Sequence, residues 1–178
     1  GLEGAVILDG FVAGGGVTDD IVTITTTNSP VQLGNATGID ADSAANDGLS
    51  ISAGNADITL PVIGANAEPN AVTVATTGTG YLGGNISTMG NVNFANAPAT
   101  VLLANVTIDT ENATSETSAG SVTFAQTGTI DGDVLDRTLT INTSDDGTDA
   151  GGDNDDLGGA VTLGTLGGSM ALGAVTVN

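Results

Sequence analysis

The side chains in this chain that could do chemistry are almost all carboxylates. Of 178 residues, 21 are Asp or Glu and one is a base, Arg137; histidine and cysteine are absent and the formal charge is −20. Fourteen of these acids gather in four groups: Asp19 and Asp20; Asp40, Asp42 and Asp47; Asp131, Asp133 and Asp136; and Asp145, Asp146, Asp149, Asp153, Asp155 and Asp156. Carboxylates set among glycine and asparagine offer the oxygen ligands that a hard cation such as calcium takes. Six like charges in one short segment repel one another unless screened. The last group is therefore the first candidate for bound calcium, with a solvated acidic surface as the alternative.

Its core, Gly151-Gly152-Asp153-Asn154-Asp155-Asp156-Leu157, is similar to the Gly-Gly-x-Gly-x-Asp calcium repeat, with Asn154 where the third glycine stands. No EF-hand loop is present. The same carboxylates could serve as an acid pair for glycoside cleavage, and Asp131, Asp133 and Asp136 form the local cluster for it. Sugar binding wants aromatic platforms, however, and only Tyr81 and three phenylalanines are available. Gly78-Thr79-Gly80-Tyr81-Leu82-Gly83 fits the dinucleotide fingerprint, but no helical pattern follows to present amides to a phosphate. A glycine turn is the expected reading there.

What is missing excludes more. Without histidine or cysteine there is no Ser-His-Asp or Cys-His arrangement, no thiolate zinc site and no disulfide framework. One arginine in a field of −20 repels nucleic acid and anionic membranes alike. The stretch from Leu157 to Asn178 is long enough for a membrane span, yet glycines and Val-Thr-Leu alternation mark it as strands.

The elements that must carry these acids follow from one recurring triplet: apolar, Thr or another small residue, apolar. It occurs as Val22-Thr23-Ile24, Leu49-Ser50-Ile51, Ile58-Thr59-Leu60, Val72-Thr73-Val74 and Val92-Asn93-Phe94. It returns as Val106-Thr107-Ile108, Val122-Thr123-Phe124, Leu139-Thr140-Ile141, Val161-Thr162-Leu163 and Val175-Thr176-Val177. Period-two alternation puts both apolar residues on one face and the hydroxyl on the other. With weaker openers at Val6 and Val31, the triplets pair into six units that open at Val6, Val31, Ile58, Val92, Val122 and Val161. A third apolar group lies inside each unit, among them Val62-Ile63, Leu102-Leu103, Val134-Leu135 and Leu166. Two strong strands and a weaker third per unit predict an all-β fold, a parallel β-helix of about six irregular coils in one domain spanning 1–178. The competing expectation is a β-sandwich or jelly roll.

The last third, NVTIDTENATSETSAGSVTFAQTGTIDGDVLDRTLTINTS and then GGAVTLGTLGGSMALGAVTVN, resembles the glycine/threonine-rich repeats of giant secreted bacterial surface proteins, of the filamentous-haemagglutinin and autotransporter-adhesin type. The likeness holds from about Asn105 to Asn178. It implies a right-handed parallel β-helix acting as a stalk, fibre or adhesin, extracellular or on the cell surface, with no catalytic residues to carry over. Cell-surface or matrix glycans are the partners such a module would meet.

Two further features accord with an exported fibre. Five Asn-x-Ser/Thr sequons, at Asn35, Asn85, Asn105, Asn112 and Asn142, are candidate glycosylation sites. Strand character starts by Val6 and Leu8 and runs through Val175 and Val177, with no lysine and no terminal proline to block edge pairing. Head-to-tail stacking of copies, continuing Val175 and Val177 into Val6 and Leu8, is the assembly this predicts.

Overall fold

Among the described residues the apolar–hydroxyl alternation folds, in a computed structural model, into β-strands with no helix. The structure describes residues 4–8, 21–41, 47–110, 119–144 and 158–178, with 4–8 described by backbone only. In chain order the strands are β1 (Gly4–Leu8), β2 (Ile21–Thr25), β3 (Val31–Gln32), β4 (Ala36–Ala41), β5 (Gly48–Ser52) and β6 (Ile58–Leu60). Then follow β7 (Ala71–Ala75), β8 (Thr79–Leu82), β9 (Ile86–Ser87), β10 (Val92–Asn96), β11 (Ala99–Leu102) and β12 (Val106–Asp109). The last six are β13 (Val122–Phe124), β14 (Thr129–Gly132), β15 (Arg137–Asn142), β16 (Val161–Thr162), β17 (Thr165–Leu166) and β18 (Leu172–Val177).

Successive strands join different sheets in rotation. The first sheet runs β2-β5-β7-β10-β13-β16 and the second β3-β6-β8-β11-β14-β17. The third holds β9-β12-β15-β18, and isolated bridges from Ile86 through Ile63 to Ile39 link it to the pair β4-β1. Every strand pairing among the described residues is parallel. A jelly roll requires antiparallel neighbours, so the sandwich expectation does not match this pairing.

Register stacks like residues into columns. On the third sheet one column reads Val6, Ile39, Ile63, Ile86, Ile108, Ile141, Val177. Its five isoleucines are fully buried, each worth about 1.5–3 kcal/mol relative to exposure. On the first sheet Val22, Leu49, Val72, Val92, Val122 and Val161 form another. The intervening Thr23, Ser50, Thr73, Asn93, Thr123 and Thr162 form the outward column beside it. Among the described residues core volume comes from aliphatic rungs, with Phe94 and Phe124 as large aromatic fillers.

Glycine governs one corner. Gly90, Gly120 and Gly159 each sit just before the first sheet, and a Cβ on Gly120 or Gly159 would run into the glycine backbone of the preceding circuit. Only a residue without Cβ lets the circuits close to strand spacing there.

Three details differ from the triplet pairing. The openers at Val31 and Ile58 lie on the second sheet, while Val92, Val122 and Val161 lie on the first. The Gly78–Gly83 segment is not a turn: β8 is an interior strand between β6 and β11, which leaves no exposed amide cradle. Finally, Ile130, not Val134-Leu135, fills the second-sheet core of its circuit. Val134 and Leu135 stay 49% and 63% exposed in the following turn. The segment weighed as a membrane span instead carries β16 to β18, and among the described residues no helix is long and apolar enough to cross a membrane.

Candidate functional site

The acids and amides divide by what the neighbouring circuit offers them. Asp40, 5% exposed, accepts at Oδ1 from the Asn66 backbone N–H at 2.9 Å and at Oδ2 from the Asn66 side-chain amide at 2.8 Å. Burial works against its charge, but these bonds and those from the Ala65 and Ala67 backbone outweigh it and hold the carboxyl below its ordinary value. Asp131 repeats the device on the second sheet, its Oδ1 accepting from Ser169 N–H at 2.8 Å and Met170 N–H at 3.2 Å. Asp57 Oδ1 accepts from Thr79 N–H at 2.9 Å.

Asparagines do the same at the corners. Asn28 Oδ1 takes the Asn55 N–H at 3.0 Å, Asn85 that of Thr107 at 2.9 Å, Asn91 that of Ser121 at 2.8 Å and Asn105 that of Thr138 at 3.2 Å. Each bond ties one circuit to the next where a corner breaks the ladder and leaves a donor unmet. Buried threonines supply the converse: Thr110 Oγ1 donates to the Gly120 carbonyl at 2.6 Å and Thr88 Oγ1 to that of Gly90 at 2.6 Å.

Of the sequon asparagines, Asn35, Asn85 and Asn105 are exposed. The corner bonds of Asn85 and Asn105 use Oδ1, whereas a glycan would be carried on Nδ2. Asn142 is half-buried, its Nδ2 donating to Asp109 Oδ1 at 3.3 Å and its Oδ1 accepting from Ser144 Oγ at 2.6 Å. Asn112 lies outside the described residues.

The cluster of Asp131, Asp133 and Asp136 is spoken for in two of its members. Asp133 is paired with Arg137, Nε to Oδ1 at 2.6 Å and Nη2 to Oδ2 at 3.2 Å. The guanidinium hydrogen bond, against a small desolvation cost, lowers the Asp133 carboxyl. Asp136 occupies the left-handed region at φ 68° and turns the chain into β15. With Asp131 clamping a turn and Asp133 in an ion pair, the local arrangement is a corner brace.

The calcium candidates Asp145, Asp146, Asp149, Asp153, Asp155 and Asp156 lie outside the described residues, as do Asp19, Asp20 and Asp42. Among the described residues no group of three or more acidic side chains is placed to hold a metal. Asp47, in the same acidic group as Asp40 and Asp42, has a distinctive setting. It is fully buried and, among the described residues, neither carboxylate oxygen has a hydrogen-bond partner. A charge so placed is costly unless a proton or cation meets it. Nothing in the local sequence marks it off from the solvated acids.

The ends of the sheets complete the picture. Val6 and Val177 lie at opposite ends of the isoleucine column, Val175 pairs with Leu139, and Leu8 pairs with Ala41. On β17 and β18 Leu166 is 41% and Val177 49% exposed. At the other end Ile21 is 66% exposed beside a shallow groove floored by Gly48, Asn70 and Ala71. Comparison with known proteins found no matching family model, no matching curated protein and no matching solved structure.

Proposed function

We propose that this chain is a structural module: a parallel β-helix of six three-sided coils, built to extend as an extracellular stalk, fibre or adhesin. The observation that supports this best is the rotation of successive strands through three parallel sheets, with like residues stacked in register along each. Such stacking gives length at constant cross-section, and stability that accumulates coil by coil. The outward columns of Thr, Ser and Asn, and a charge of −20 with no lysine, suit a hydrated surface outside the cell more than a binding cleft. Acids and amides serve as braces between coils, which accords with a scaffold and not with a reaction centre.

A second reading, a calcium-dependent surface or coat module, draws on the unpartnered carboxylate of Asp47 and the Asp145–Asp156 cluster. Immunogold labelling of intact source cells with antibody to this chain tests the first reading. Label is expected along filaments or on the outer surface. Label confined to the cell interior would overturn it.

A further inference from the structure

We propose that the outward face of the first sheet packs on the same face of a second copy, giving a weak two-fold pair joined side by side. The inference adds a partner to the module and rests on one sheet face, not on where the protein resides. Charge singles out that face. Its strands β2, β5, β7, β10, β13 and β16 contain no charged residue. The second sheet carries Asp131 on β14, and the strands of the third side carry Asp40, Asp109 and Arg137. The turn after β14 adds Asp133 and Asp136, both exposed.

In a chain of formal charge −20, this partition decides how a second copy can approach. Exposed charges repel over about one Debye length, about 8 Å at physiological salt. A copy laid on the second or third sheet brings the carboxylates of those strands and turns within reach of their own counterparts. On the first sheet the strands present hydroxyls, amides and methyl groups instead. Covering them strips no ion of its water.

Side-chain size fits the same occupant. The outward column that runs through Ser50, Thr73 and Thr123 is flanked at β5 and β7 by Gly48 and Ala71 on one side and by Ser52 and Ala75 on the other. Nothing longer than threonine stands out there, so two such sheets can close to the spacing of about 10 Å seen between stacked sheets. Ile21, 66% exposed, adds apolar area beside the groove over Gly48 and Ala71 on this face. Six rungs and three outward columns span about 24 Å by 14 Å at strand geometry. That is well below the roughly 800 Å² per partner of a standard interface, so the pair is reversible and forms at high protein concentration. The same patch serves both copies, so the contact is isologous and closes at two.

Sedimentation equilibrium of the full chain reads this contact. Raising salt from about 0.1 M to about 1 M shortens the Debye length from about 10 Å to about 3 Å and is expected to strengthen dimerisation about tenfold. One added carboxylate then maps the face. Thr73→Asp and Thr123→Asp, on the first sheet, are expected to weaken the dimer about tenfold or more at the higher salt, because like charges are set against each other in a covered interface. Thr59→Asp on the second sheet and Thr107→Asp on the third add the same charge at outward positions. They are expected to leave the dimer within about twofold of the parent, since screening removes their effect at a distance. Infrared spectra identify the variants that keep the parallel β signature, and two first-sheet variants ensure that one misfolded protein does not decide the result. A parent that stays monomeric at every concentration and salt overturns the pair and leaves the structural-module reading standing. Dimers that the first-sheet variants do not weaken overturn it too, as does equal weakening by all four substitutions. Growth beyond the dimer into open oligomers overturns the two-fold arrangement.

Discussion

Phe94 and Phe124, from successive circuits, stack with ring centroids 5.4 Å apart and planes 15° from parallel. Both rings are buried, in a core that is otherwise aliphatic among the described residues. Truncating Phe124 to Ala removes a rung and strips the face of Phe94, and is expected to cost about 3–5 kcal/mol. Denaturant melts should show the midpoint falling by that amount; a loss under 1 kcal/mol would mean that the stack is not a core contact.

Face assignment gives a sharper contrast. Val122 and Ile141 are fully buried, while Thr123 sits between Val122 and Phe124 on the outward column. Val122→Asp and Ile141→Asp are expected to abolish folding, because an inward carboxylate finds neither water nor partner. Thr123→Asp should stay within about 0.5 kcal/mol of the parent, as surface changes do. Circular dichroism of the three variants checks this, and equal damage from all three would reverse the inward and outward faces.

The glycine corner can be tested by one methyl group. Gly120→Ala puts a Cβ into the Gly90 backbone of the preceding circuit, and neither strand can yield without breaking the ladder on either side. A loss of about 1–3 kcal/mol is expected from such overpacking. An unchanged melting temperature would show that the circuits do not approach so closely.

Acid should release the Asp40 brace. Its carboxyl is held below the ordinary range, so the unfolded chain binds its proton more readily than the folded one. The brace therefore contributes fully above the unfolded value of about 3.9, and fades as pH falls through the lower folded value. Asp40→Asn is expected to cost about 1–3 kcal/mol at neutral pH, with the gap between variant and parent narrowing below pH ~4. A gap that does not change with pH would show that the charge is immaterial.

Asp47 bears on the calcium question directly. With both oxygens buried and unpartnered, Asp47→Asn is expected to raise stability in chelator by about 1–3 kcal/mol, since it removes a buried charge. Parallel melts in calcium separate the two readings. A calcium-dependent rise in the parent that vanishes in Asp47→Asn would give the carboxylate a cation. Identical parent curves in calcium and chelator would remove calcium from Asp47 and from the Asp145–Asp156 segment together.

Much of the local structure was legible in the chain itself. The triplets at Val106, Val122, Leu139 and Val161 specify strand, and their alternation specifies which side is buried, because both follow from the two-residue period of a pleat. Stacking of Val92 with Val122 and Val161, and of Val106 with Leu139 and Val175, also follows the sequence spacing. Before residue 90 the spacing misled. Val31 and Ile58 are as apolar as Val22 and Leu49, yet occupy a different sheet, because nothing in a triplet records how far round the circuit it lies. The Thr79–Leu82 strand was hidden by its glycines, and Ile63 holds its rung of the third sheet by a bridge alone.

The acids and asparagines show the same division more strongly. Composition alone dictated that carboxylates and amides would be the polar chemistry of this chain. What each one does was decided only in three dimensions. The donors that meet Asn105 and Asp131 belong to Thr138 and Ser169, on the next circuit. Asp47, with the same local chemistry, meets none among the described residues. Pleat alternation is a property of neighbouring residues and can be read along the chain, whereas these braces need a donor delivered by a chain segment more than twenty residues away, and only the parallel pairing of distant strands delivers it.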